Sequence, residues 1–229
     1  MGPVAQTPPQ LYRQLLGLGI QTPQMLVIGD ACEAAMQQSI QLLRGSGKPF
    51  SCHLIGMTSL FAEAVQEPQA IVAALLHGFL QERPGLDPDL LRRQCFVARH
   101  FGQPVAALLE RYQAQGETRA GAAPAADDRS GFLVYAMRLA DDLEDALDGA
   151  PWLHGQLDDQ GGEQGSAQAR VARFRSLAPV YAHCPALGLP TFWQRYQQGI
   201  EILDTEQRLS CLRRGRYSSY AVSALDLSQ

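Results

Sequence analysis

The sequence predicts an all-α fold, a compact bundle of about eight or nine helices, on three observations. Apolar residues recur at helical spacing in segment after segment, as in Met25, Leu26, Ile28, Cys32, Met36, Ile40 and Leu43. These segments are bounded by helix punctuation such as Thr22-Pro23, Arg83-Pro84-Gly85 and Asp87-Pro88. No stretch alternates apolar and polar residues for long enough to read as a strand.

Residues 1–8 form a loose leader, and a short helix from Pro9 to Leu18 stops at Gly19. Thr22 is the expected N-cap of a second helix, with Pro23 at its first position and an end near Arg44. After Gly45-Ser46-Gly47-Lys48-Pro49, Ser51 is placed to cap a helix that carries His53 near its start. Pro68 opens a strongly apolar helix with His77 late in its length, closed by Arg83-Pro84-Gly85. Asp87-Pro88 starts a helix reaching His100, Gly102 breaks it, and another runs from Gln103 to Gln115. Residues 116–126 are a small-residue loop, and Asp127 or Asp128 begins a long helix lined by Phe132, Val134, Tyr135, Leu139, Leu143 and Leu147. Residues 154–166 are a polar, glycine-rich loop; a helix from Ala167 to Tyr181 follows, then a long one from Pro190 to Leu212. Residues 9–215 thus read as one domain, with 216–229 as a tail.

Composition narrows the function. A chain of 229 residues is long enough for one substantial core. A formal net charge of −4 gives no reason to expect nucleic-acid binding. The five cysteines are scattered and form no CxxC pair, which argues against a disulfide framework or a structural zinc site. There is no signal-peptide pattern and no apolar run near the roughly 20 residues that span a bilayer. The expectation is a cytoplasmic protein with no membrane partner.

Two histidines on neighbouring apolar helices, His53 and His77, are a candidate metal clamp. Arg44 and Lys48 flank Gly-Ser-Gly, where two cations and a glycine-containing turn can grip a phosphate or simply finish a helix. The spacing is not that of a P-loop. Asp141, Glu144 and Asp145 lie at i, i+3 and i+4 and share a helix face, which reads either as a site or as a solvated acidic surface. Arg208, Arg213, Arg214 and Arg216 with Tyr217 and Tyr220 form a basic cluster near the end of the chain.

Five segments occur in the order found in the HD superfamily of metal-dependent phosphohydrolases. They are Arg44-Gly-Ser-Gly-Lys-Pro-Phe-Ser-Cys-His53, Ala73-Ala-Leu-Leu-His77-Gly78, Phe101-Gly-Gln-Pro-Val-Ala-Ala-Leu-Leu109, Arg138-Leu-Ala-Asp141-Asp-Leu-Glu-Asp145 and Ala178-Pro-Val-Tyr-Ala-His-Cys-Pro-Ala-Leu-Gly188. Over residues 25 to 195 the chain resembles the (p)ppGpp-hydrolase domain of RelA/SpoT proteins and the small alarmone hydrolases. The resemblance implies His53, His77, residue 78 and Asp141 as metal ligands, and an acidic pair at positions 81 and 82. It also implies nucleotide contact at position 145, in keeping with Arg44 and Lys48 as ligand-binding residues. Here the chain departs from the pattern. Gly78 offers no ligand atom, Gln81 cannot take a proton, and Asp142 and Asp145 put negative charge where the family has a basic residue and an asparagine.

The expected function is therefore that of a divergent HD-domain protein without (p)ppGpp hydrolysis, acting as a binding or regulatory module. No cofactor is expected; if a metal is held it is Mn, Fe or Zn, on His53, His77 and Asp141. An enzyme using that reduced set, with Glu82 as base, is the alternative: a small-phosphoester hydrolase or a non-haem-iron oxidation catalyst. A structural or assembly factor is the third. A nucleotide or other small phosphorylated ligand, a protein partner and a second copy of the chain are the partners that fit.

Overall fold

The structure is a computed structural model that describes residues 3–40, 42–44, 48–80, 89–114, 123–125, 127–147, 172 and 174–205. Among these the protein is all-α and contains no strand; Leu43 and Pro49 form one isolated antiparallel bridge. The helices are α1 (Pro8–Gly17), α2 (Thr22–Gln38), α3 (Phe50–Ala64), α4 (Pro68–Leu75), α5 (Leu90–Phe101), α6 (Gln103–Ala114), α7 (Arg129–Leu147), α8 (Ala178–His183) and α9 (190–205). A 3-10 turn, Cys184–Leu187, joins α8 towards α9. No described helix is long and apolar enough to cross a membrane.

α3 is the axis of the bundle. Apart from Ser51 and Cys52, every residue from Phe50 to Ala62 is buried, including Gly56, Thr58 and Ser59. Such a helix has no solvated face and must be wrapped on all sides; it contacts α1, α2, α4 and most extensively α7. α4 is the second buried rod, with Ala70 to Leu75 all in the core. Its small residues let it lie close to α2, α3 and α6. Burying a leucine-sized side chain contributes about 1.5–3 kcal/mol, so these two helices supply much of the driving force for folding.

Several boundaries differ from the sequence expectation. α2 is capped by Gln21, not Thr22: Gln21 and Gln24 exchange side-chain and backbone bonds as a capping box. It ends at Gln38 and not near Arg44, where the Ser39 hydroxyl donates to the Ala35 and Met36 carbonyls and competes for the bond that the Ile40 N–H would make to Met36. The face read from its periodicity is also partly wrong. Ile28, Ala31, Cys32 and Ala35 are buried, whereas Leu26, Met36, Ile40 and Leu43 are exposed. α3 starts at Phe50 behind Pro49, so Ser51 lies inside the helix and caps nothing. α5 is capped by Asp89, whose side chain accepts from the Arg92 N–H, in place of the expected Asp87. Gly102, at φ +92°, makes the α5–α6 corner in a conformation reserved for glycine. Asp128 caps α7 by accepting from the Gly131 N–H at 2.9 Å. His77 lies just past the end of α4 in a turn, not within the helix. The 154–166 loop, the end of the last helix and the 216–229 tail lie outside the described residues.

Candidate metal centre

α3 places His53 in its first turn, facing α7. The two helices approach closely there because position 56 is glycine: a Cβ on Gly56 would stand 2.7 Å from Glu144 Oε1 and 2.9 Å from Glu144 Cγ. His53 is 1 % exposed. Its Nδ1 lies 2.6 Å from Glu144 Oε2, and its Nε2 lies 3.1 Å from Asp141 Oδ1.

His77 reaches the same point from the turn after α4. Its Nδ1 is 2.8 Å from the Ala74 carbonyl oxygen. A carbonyl only accepts, so Nδ1 carries the hydrogen and the neutral ring presents a lone pair at Nε2. That Nε2 lies 4.0 Å from Asp141 Oδ1. The two imidazoles meet edge to face, with centroids 5.4 Å apart.

Asp141 is oriented by Tyr112 on α6. The Tyr112 hydroxyl donates to Oδ2 at 2.9 Å, which leaves Oδ1 for the histidines. Tyr112 is itself fixed by Arg138, whose guanidinium lies 3.5 Å from the ring centroid and donates to the Tyr112 carbonyl. Donor atoms of His53, His77 and Asp141 all lie within 4.8 Å of one another. Around an ion with bonds near 2.1 Å, neighbouring donors are about 3–3.5 Å apart. His53 and Asp141 meet that spacing already, at 3.1 Å, whereas His77 Nε2 stands farther off, 4.0 Å from Asp141 Oδ1. Each donor is held through its other polar atom, as metal ligands generally are.

Without a metal the site is a network of ion pairs. Burial and Arg44 disfavour the His53 cation, but bonds to Asp141 and Glu144 outweigh both and raise its pKa. Burial likewise opposes the Asp141 carboxylate, yet His53 and His77 hold its pKa far below the usual range. Glu144 follows the same logic: burial is outweighed by His53 and Lys48, and its pKa is lowered. The surplus charge on α7 falls elsewhere. Burial, Asp141 and Asp145 push the Asp142 carboxyl up to about 8. Burial raises Asp145 to about 6 against the pull of Arg44.

Arg44 and Lys48 arrive on paired segments, with Arg44 N–H donating to the Lys48 carbonyl at 2.9 Å. Arg44 forms an ion pair with Asp145, and Lys48 with Glu144. Six residues picked from sequence, Arg44, Lys48, His53, His77, Asp141 and Asp145, therefore converge on one place. Glu82 and Gln81 lie outside the described residues. Sequence reasoning missed Tyr112, which carries no signal beyond being an aromatic on a helix. It noticed Glu144 only as a neighbour on the acidic face; its spacing from Asp141 was the available clue.

Gly78 does not open toward the histidines. A Cβ there would lie 2.8 Å from the Phe50 ring, which packs against His53 with centroids 5.4 Å apart. Phe50 and Gly78 also line a narrow apolar crevice with Leu54, Leu75, Leu76 and Phe79. No protein-family model matches the chain, and no curated protein is significantly similar to it.

Proposed function

We propose that this chain is a divergent HD-type protein, related to the RelA/SpoT hydrolase domain, that does not hydrolyse (p)ppGpp and serves as a cytoplasmic binding or regulatory module. The observation that carries this reading is the Phe50 ring against Gly78. Position 78 lacks the carboxylate such a hydrolase needs, and an aromatic ring occupies the space that a side chain there would take. Glu144 and Asp145 are paired with Lys48 and Arg44, so the cations best suited to a phosphorylated ligand are already engaged within the protein. Assayed with (p)ppGpp and Mn²⁺, the wild-type protein should release no pyrophosphate, and turnover would overturn the proposal. Gly78→Asp alone should be destabilised by the clash with Phe50. Gly78→Asp with Phe50→Ala should fold and bind Mn²⁺ more tightly than wild type, by isothermal titration calorimetry.

A second reading keeps a metal. Its support is the orientation of the donors: Nε2 of His53 and Nε2 of His77 both face Asp141 Oδ1, and each donor is fixed from behind. Two imidazoles and a carboxylate suit Zn, Fe or Mn, and a bound ion would supply a polarised phosphoryl oxygen or an activated water for a small phosphoester. Protein purified without chelator should then contain near-stoichiometric metal that His53→Ala abolishes. Metal-free wild-type protein at micromolar free Zn²⁺ would dispose of this reading and leave the first intact. Docking through the arginine–tyrosine tail stays a third reading, tested by deleting residues 216–229 and measuring partner capture.

A further inference from the structure

The His53 ring has more claimants than it can satisfy. Nδ1 lies 2.6 Å from Glu144 Oε2 and 2.5 Å from an Arg44 Nη. A carboxylate accepts and a guanidinium donates. Toward Glu144, Nδ1 must carry a hydrogen; toward Arg44, it must offer a lone pair. One nitrogen cannot do both, and the outcome fixes the other end of the neutral ring. If Nδ1–H donates to Glu144, Nε2 turns a lone pair toward Asp141 and His77. If Nδ1 accepts from Arg44, Nε2 carries the hydrogen, and its 3.1 Å contact with Asp141 Oδ1 becomes an N–H···O bond where a metal bond would form.

We propose that Glu144 is a positioning residue that readies His53 for a divalent metal, and that Arg44 opposes it, so that the paired segments 42–44 and 48–50 govern metal affinity. The proposal rests on the second reading above, that His53, His77 and Asp141 hold the metal. The two claimants are held differently. Glu144 is 2 % exposed, its other oxygen is paired with Lys48, and Gly56 leaves the gap in which it sits. Arg44 has a second anchor in Asp145, and both of those side chains are partly exposed. Arg44 can therefore withdraw from His53 and keep Asp145, whereas Glu144 has nowhere else to go. An anionic ligand that drew Arg44 outward would hand Nδ1 to Glu144 and tighten the metal site, the reciprocal coupling expected of two linked sites.

Zn²⁺ affinity of the full chain, measured by competition with a chromophoric chelator, provides the first test. Glu144→Gln should weaken binding about 10–100-fold, the usual cost of losing a carboxylate behind a metal-bound histidine. Arg44→Gln should tighten it. Charge alone predicts the same signs, so Glu144→Asp separates the causes: it keeps the charge but withdraws the oxygen from Nδ1. Positioning requires it to behave like Glu144→Gln; wild-type affinity in Glu144→Asp, or weaker binding in Arg44→Gln, would overturn the proposal. Long-range ¹⁵N–¹H spectra of the imidazoles, on metal-free protein at alkaline pH, provide the second test. His53 should be Nδ1–H in wild type and Nε2–H in Glu144→Leu, which offers Nδ1 no acceptor, and an Nε2–H ring in wild type would overturn the assignment. If wild type binds no Zn²⁺, the metal reading fails, and these spectra alone decide whether Glu144 sets the tautomer.

Discussion

Each end of α3 carries a polar cluster, and the clusters are built on opposite terms. At the C-terminal end, Glu63 receives a two-bonded grip from Arg195 on α9, at 2.6 and 3.0 Å. Arg195 also donates to Gln198; Gln14 joins Glu63 to Ser59, and Ser59 accepts from the Ala5 N–H. Every one of these bonds has a donor and an acceptor, and together they tie the leader, α1 and α9 to the core. At the N-terminal end, one nitrogen of His53 faces both a donor and an acceptor, and three carboxylates crowd one face of α7. A polar network kept only for stability settles into full satisfaction. One that keeps a conflict has its geometry set by something else, which is why the His53 end is the candidate site and the Glu63 end is a structural fastening.

The largest effect expected from this contrast is at the fastening. Arg195→Ala would leave Glu63 without its cation next to a 2 % exposed position, and removing one partner of such a pair costs about 3 kcal/mol. Urea denaturation should show that loss with an unchanged slope. Arg195→Met combined with Glu63→Leu should recover most of it, because an apolar pair of similar volume replaces a buried ion pair at little cost. A loss below about 1 kcal/mol in Arg195→Ala would place the pair with ordinary surface salt bridges and break the comparison.

Gly56 offers the next test, at the other end of the same helix. Its missing Cβ is the space Glu144 uses, so Gly56→Ala should cost about 1–3 kcal/mol through overpacking. Gly29 on α2 has nothing within 4 Å of its Cβ position. Gly29→Ala should stabilise by about 0.5–1 kcal/mol from helix propensity alone. Opposite signs for two helical glycines would show that Gly56 is kept for the approach of Glu144 and not for flexibility. Equal, stabilising effects would mean that Glu144 yields easily, and its fixed place behind His53 would be wrong.

The same contrast explains what was legible in the sequence. The all-α fold was legible because helices announce themselves locally, through caps, prolines and periodic apolar residues. His53, His77 and Asp141 stood out because ionisable residues in apolar runs are conspicuous. α2 was misread because apolar residues cover it nearly all round, so periodicity could not select the face that Ile28, Ala31, Cys32 and Ala35 bury. The Glu63–Arg195 fastening joins residues 132 positions apart, with no local pattern at either. Tyr112 and Phe50 were illegible for a similar reason: an aromatic on a helix looks like core, and their roles depend on which side chain the fold brings opposite. Departures at Gly78 and Asp145 were visible, but what fills the space, the Phe50 ring and the Arg44 guanidinium, was not.

The last test concerns pH, and it falls on the His53 end. His53 has a raised pKa, so its contribution to stability is complete below the unfolded value near 6.5 and fades as pH rises through the higher folded value. Asp142, raised to about 8, acts in the same direction: the folded state holds its proton longer, so stability falls as pH climbs from about 4 toward 8. Asp141 and Glu144 act oppositely, being lowered; what they contribute is present above about 4 and disappears as pH drops through their folded values. Metal-free protein in chelator should therefore show its highest melting temperature on the acid side of neutrality, with a decline toward pH 9. His53→Gln should shrink the decline above pH 6.5, and Asp142→Asn the decline up to about 8, the part between about 4 and 6 being shared with Asp145. Melting temperatures across this range, measured for both variants and wild type, would place the pH dependence in this cluster. An unchanged alkaline slope in both variants would place it elsewhere in the molecule and remove the His53 end's claim to be the less settled of the two.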